Sequence, residues 1–188
     1  MSKAYASPLK IVEIREYARK LRSLLSLGPL DWISLPKLYD MLACLFSDNG
    51  FQFDYRVLPD NDPAFEQREE AYTDMQTGVI TIKESVMEKA CRKRFNRSAF
   101  TLAHELGHYF LHYLQRESKL CRVRDEMPVP VYCDPEWQAN VFASEFLMPF
   151  DSCLSMEPED IRRVYHVSRE AAEVRYSKIK EELRKQQR

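Results

Sequence analysis

The chain lacks any apolar run approaching the ~18–20 residues that a membrane-spanning helix needs, and its N-terminus has no basic-then-apolar secretory pattern. Its five cysteines are odd in number and form no Cys-x-x-Cys pair. That argues against a disulfide framework and against a zinc ribbon, and points to a reducing cytoplasm. Net charge is only −1, which excludes bulk attraction to a polyanion. Internal repeats and low-complexity linkers are absent as well. What remains is 188 residues, 45% hydrophobic and 30% charged, the composition of one soluble, well-packed domain spanning 1–188.

Hydrophobic periodicity divides this domain. Leu9, Ile11, Ile14, Ala18, Leu21 and Leu25 recur at helical spacing, bounded by Pro8 and by Gly28-Pro29. Ser34 caps a second expected helix through Leu38, Leu42 and Leu45, stopped at Asp48-Asn49-Gly50. Phe51, Phe53, Tyr55 and Val57 then alternate as in a strand. An acidic loop over 59–70 leads to a hairpin of 71–73 and 79–82, and a short helix is expected over 84–91. Asn96 or Ser98 caps a strongly apolar helix over 99–114. Residues 115–134 read as a long loop, Pro135 opens a helix ended by Pro149, a short turn follows near 158–165, and a last helix runs from Ser168 to about Leu183. The expected class is α+β: several helices against a small antiparallel sheet.

The apolar helix contains His104-Glu105-x-x-His108, and with His112 it holds three of the chain's four histidines within nine residues. Residues four apart stack on one helical face, so two imidazoles can reach one metal ion while Glu105 leans over a water at that metal. Unpaired imidazoles and a carboxylate in such a helix would cost several kcal/mol unless a metal or a network satisfied them. Gly107 permits close approach of backbone or substrate. A catalytic zinc takes three protein ligands. His112 is ruled out by distance, ~12 Å from His104 along a continuous helix axis. The next helix offers Glu136, Asn140 and Glu145. The gluzincin arrangement favours Glu136 as the ligand, with Asn140 one turn later near the free nitrogen of a ligand histidine. Glu145, two and a half turns on, faces elsewhere and reads as an exposed or ion-paired residue.

The run Arg94-Phe95-Asn96-Arg97-Ser98-Ala99-Phe100-Thr101-Leu102-Ala103-His104-Glu105-Leu106-Gly107-His108, then His112, then Glu136-x-x-Ala139-Asn140-x-Phe142-Ala143-Ser144-Glu145-Phe146-Leu147-Met148-Pro149, resembles the ImmA/IrrE zinc metallopeptidases. The resemblance covers about residues 78–180 and leaves the N-terminal helices of 1–50 outside it, ahead of a catalytic core of 51–188. It implies a gluzincin-like minimal metallopeptidase fold and a cytoplasmic endopeptidase. Its implied substrate is a helix-turn-helix (XRE-type) transcriptional repressor, whose cleavage releases stress, mobile-element or phage-defence genes. It also implies zinc on His104, His108 and Glu136, with Glu105 as base. No fused helix-turn-helix domain is legible, so the chain looks like a stand-alone member.

Four finer expectations follow. The hairpin strand at 78–82 offers an edge for substrate. Tyr109, Tyr132 and His166 are open candidates for stabilising the oxyanion, with structural packing the simpler reading of each. Cys133, three residues before Glu136, is placed to cover the zinc as in cysteine-switch proteases, ahead of Cys91 and Cys121; an ordinary loop thiol is the simpler reading. The basic run Arg92, Lys93, Arg94 and Arg97, with Phe95, would suit single-stranded DNA, the activator implied for CapP-like members in phage-defence operons; a solvated basic face is simpler. The competing function is a non-catalytic anti-repressor that binds a repressor without cutting it.

Overall fold

A computed structural model describes residues 5–48, 52–66, 68–92, 97–115 and 130–186. Helix α1 (Ile11–Leu24) begins where the Glu13 carboxylate accepts the Lys10 backbone N–H at 2.7 Å, and it buries Ile14, Ala18 and Leu21 on one face. Helix α2 (Leu35–Asp48) buries Leu35, Leu38, Tyr39 and Leu42. The Asn49-Gly50 part of its expected stop lies outside the described residues.

Strands β1 (Tyr55–Leu58), β2 (Ala71–Thr73) and β3 (Ile80–Lys83) form one sheet in the order β1-β3-β2. The β2–β3 hairpin is antiparallel as expected, with Ala71 opposite Ile82. The β1–β3 pair is parallel, with Tyr55 opposite Ile80, so the sheet is mixed and not wholly antiparallel. Burial explains the order. Ile80, Thr81 and Ile82 are all enclosed, so β3 takes the centre, while half-exposed β1 and β2 take the flanks. The hairpin turns where the Asp74 side chain accepts the Gln76 N–H at 2.7 Å and the Thr77 hydroxyl at 2.8 Å. Gly78 follows at φ +76°, under the Tyr113 ring, where any Cβ would collide.

Helix α3 (Glu84–Ala90) leads towards the central helix α4 (Arg97–His108). The expected continuous helix to 114 instead widens into a π-helical turn over Tyr109–Tyr113, closed by Leu114 N–H to the Tyr109 carbonyl at 3.0 Å. Ser98 lies inside α4, and Asn96 lies outside the described residues. A tight 3₁₀ turn, Val131–Cys133, precedes α5 (Pro135–Leu147). After Pro149 the chain re-enters helix at once, as α6 (Phe150–Cys153), followed by α7 (Pro158–Tyr165) and α8 (Arg169–Gln186).

Helix α4 packs against β2 on one side and α5 on another, and α1 packs on the back of α5. One apolar core runs from Ile14 through the sheet to Phe146, so the N-terminal helices share it with α4 and α5. A second, smaller cluster joins Met148, Phe150, Ile161, Ala172 and Ile179 in the C-terminal helices. Among the described residues, no helix is long and apolar enough to cross a membrane.

Candidate metal centre

The contact between α4 and α5 builds the site. At Gly107 a Cβ would stand 2.9 Å from the Ala139 Cα, so only glycine lets these two backbones approach so closely. The close approach allowed at Gly107 is therefore to backbone. The register of α5 is set at its start, where the Asp134 carboxylate accepts the Glu136 N–H at 2.9 Å and Pro135 occupies the first turn. Glu136 then faces α4, and Asn140 faces it one turn later.

His104 Nε2 and His108 Nε2 approach to 2.9 Å, and Glu136 places one carboxylate oxygen 3.3 Å from each. Among the described residues, these three side chains form a group that could hold a metal ion, their ligand atoms all within 4.8 Å of one another. Asn140 Oδ1 lies 3.1 Å from His104 Nδ1. An Nδ1–H donated there leaves Nε2 with a lone pair aimed at the shared point. Two lone pairs and a carboxylate on one point suit a cation. The three groups are also strongly coupled electrostatically. Burial opposes a charge on His104, but Glu136, Glu105 and Asn140 together outweigh it and raise its pKa. Hydrogen bonds from His104 and His108 hold the Glu136 carboxyl far below the usual carboxylate range.

Glu105 is 5% exposed, beside this cluster. Its Oε2 accepts the Thr73 hydroxyl at 2.7 Å, across from β2. Burial raises its pKa, against the pull of His108, Thr73 and His104. His112 is not in the group: its Nε2 meets the Pro135 carbonyl at 3.3 Å, tying the end of α4 to the start of α5. Burial, then the neighbouring His108, lowers its pKa to about 4, so it is a neutral hydrogen-bond donor.

All of this lies in a groove of about 1020 Å³. Tyr72 and Thr73 of β2 form one side, α4 with Leu111 and His112 of the following turn and the start of α5 form its floor, and Tyr5 to Leu9 contribute a further side. The strand beside the groove is therefore β2, an edge of the sheet, and not 78–82, which is central.

Other expected residues lie elsewhere. Cys133 is buried in the turn before α5 and does not line the groove. Cys91 is exposed at the end of α3, and Cys121 lies outside the described residues. Arg92 is exposed and paired with Glu88 at 2.5 Å, while Arg97 stands at the groove, 3.8 Å from Glu70. Lys93, Arg94 and Phe95 lie outside the described residues. None of the oxyanion candidates lines the groove. Tyr109 is fully buried, its hydroxyl donating to the Gln52 carbonyl; Tyr132 is half exposed; His166 packs edge-on against Trp32. Thr73 and the 5–9 segment escaped sequence reasoning, because nothing in their local pattern marks a contact with a helix so far along the chain.

The model of the peptidase M78 family, described as the IrrE N-terminal-like domain, matches residues 64–177. The chain belongs to that family. The matched region of this family member contains β2, β3, α4 and α5, and so every side chain of the His104–His108–Glu136 group. Membership supports a metallopeptidase-type enzyme. Among solved structures, a Mycobacterium tuberculosis transcriptional regulator is similar at 15% identity and TM-score 0.53, over 86% of this chain and 46% of that one. The likeness concerns the fold, and the chain spans about half the length of that regulator. No curated protein matches the chain by sequence.

Proposed function

We propose that this family member is a zinc endopeptidase in which His104, His108 and Glu136 hold the metal and Glu105 is the base. The observation that carries the reading is the convergence of two imidazoles and a carboxylate beside a buried glutamate, in a groove of about 1020 Å³ that also borders an edge strand. Zinc held there supplies a Lewis acid that polarises the scissile carbonyl and activates water.

The chain's own residues do the rest. Asn140 fixes the tautomer of His104. Thr73 holds Glu105 Oε2, leaving Oε1 to take a proton from the attacking water and pass it to the departing amine as the C–N bond breaks. The water oxygen ends in the new carboxylate. A substrate lying along β2 would gain main-chain hydrogen bonds at that edge. Thr73, on the same strand, links that edge to the base.

The proposed substrate is a helix-turn-helix repressor, which places the enzyme in the cytoplasm. Family membership, and a structural neighbour that is itself a transcriptional regulator, support this class. The N-terminal helices are proposed to be part of the same unit, since they share its core.

The test incubates the zinc-loaded protein with a helix-turn-helix repressor encoded beside it. Expected is cleavage at a defined site, abolished by a chelator and by Glu105→Gln, with loss of derepression in cells. Full derepression by the Glu105→Gln protein would instead establish binding without cutting.

A further inference from the structure

The stretch ahead of α1 is bound into the groove itself. Ala6 N–H donates to the Cys133 carbonyl and Leu9 N–H to the Tyr132 carbonyl, each at 3.0 Å. The Gln138 side chain reaches over from α5 and donates to the Ser7 carbonyl at 2.8 Å and the Tyr132 carbonyl at 2.7 Å. Gln138 is fully buried and lies on α5 between Glu136 and Asn140. The same helix therefore carries the metal-facing side chains and grips residues 5–9. Helix α1, which follows directly, is locked to the far end of α5 by Arg15 on Glu145 and by Arg22 Nη1 on the Phe146 carbonyl at 2.8 Å. Anchored at both ends, the segment forms a fixed side of the groove, whose lining includes Tyr5, Ala6, Ser7 and Leu9.

The two kinds of wall can do different things. An edge strand such as β2 offers backbone donors and acceptors, which bind any extended peptide alike. Selection among peptides has to come from side chains lining the rest of the groove. The 5–9 segment contributes an aromatic and an aliphatic one to a lining that also includes Leu111. It also lies outside the region matched by the family model, which begins at residue 64.

We infer that residues 5–9 are the specificity wall of the groove, with Tyr5 and Leu9 selecting a large apolar side chain on an extended polypeptide that pairs with β2. The inference rests on the peptidase reading, yet it concerns binding and can be tested without turnover.

The experiment uses the full chain and extended peptides that differ at one position, carrying Ala, Leu or Phe. Binding is measured to the zinc-loaded Glu105→Gln protein, and cleavage by the active protein. Expected is a preference for Leu and Phe over Ala, reduced about 10-fold or more by Tyr5→Ala and retained by Tyr5→Phe, within the range one apolar pocket contact gives. Zinc content and melting temperature should not change. Leu9→Ala should act in the same direction, but its partial packing on the core makes Tyr5 the deciding position. Preference unchanged in Tyr5→Ala, or absent from the parent protein, overturns the inference. Selective binding that depends on Tyr5, with no cleavage of any peptide, upholds the wall and counts against the peptidase reading.

Discussion

Two glutamates on helix α5 sit nine residues apart and lead opposite lives. The Glu136 side chain is 67% exposed and faces two imidazole nitrogens at 3.3 Å. The Glu145 side chain is 2% exposed and is closed in by guanidinium groups. Its Oε1 accepts from Arg15 at 3.1 Å and Arg175 at 3.0 Å, and its Oε2 accepts from Arg175 at 2.8 Å. Arg15 in turn binds Glu182 and lies 3.7 Å over the Phe150 ring. The residue type and the helix are shared, so the difference lies in the partners. Guanidinium groups bring their own permanent charge and fill the carboxylate's hydrogen-bonding capacity. Imidazoles carry no permanent charge and can present lone pairs when unprotonated, so a cation can take their place as the carboxylate's counter-charge. Glu145 ties α1, α5 and α8 together; Glu136 stays open to the groove.

Breaking each glutamate should separate the two roles. The largest effect is expected from Glu136→Ala, which should abolish both zinc retention and hydrolysis. The melting temperature of the chelator-treated protein should stay near that of the parent, because an exposed position adds little to the fold. Loss of folding in that variant would mean that the two ends of α5 are not functionally distinct. Next comes Glu145→Ala, which removes the carboxylate shared by Arg15 and Arg175, leaves Arg15 only Glu182, and should cost about 3–5 kcal/mol in urea unfolding. The fraction that remains folded should bind zinc as the parent does. A smaller effect is expected from Asn140→Ala, which frees His104 Nδ1 and should weaken zinc about 10–100-fold, as loss of an outer partner usually does. Competition with a chromophoric chelator measures this, and an unchanged affinity would show that packing alone orients His104.

Much of this architecture was legible residue by residue. The helices followed from apolar spacing: Ile14, Ala18 and Leu21 are indeed the buried face of α1. Helix α5 does start at Pro135, and the expectation that Glu145 would turn away from His104 and His108 agrees with its burial among arginines. His112 stands apart from the His104–His108–Glu136 group, as its distance along the helix implied. The errors came where partners lie far apart in the chain. Three successive strands looked like an antiparallel series, but β3 is apolar enough to be covered on both faces and entered between its predecessors. The 99–114 helix looked uniform, and its widening at 109–113 comes with contacts to distant residues: Tyr113 over Gly78, His112 on Pro135 and Tyr109 on Gln52.

The sequence by itself determined the helical pattern and the His104, Glu105 and His108 stripe, because four-residue spacing on a helix is a local property. It also supplied Glu136 as a ligand candidate through a second helix of familiar composition. Only the tertiary structure decided which groups surround that stripe. Thr73 on Glu105, Gln138 on Ser7 and Gly107 against Ala139 each join residues at least 32 positions apart. Such contacts depend on how helices and strands close on one another, and no local spacing records that.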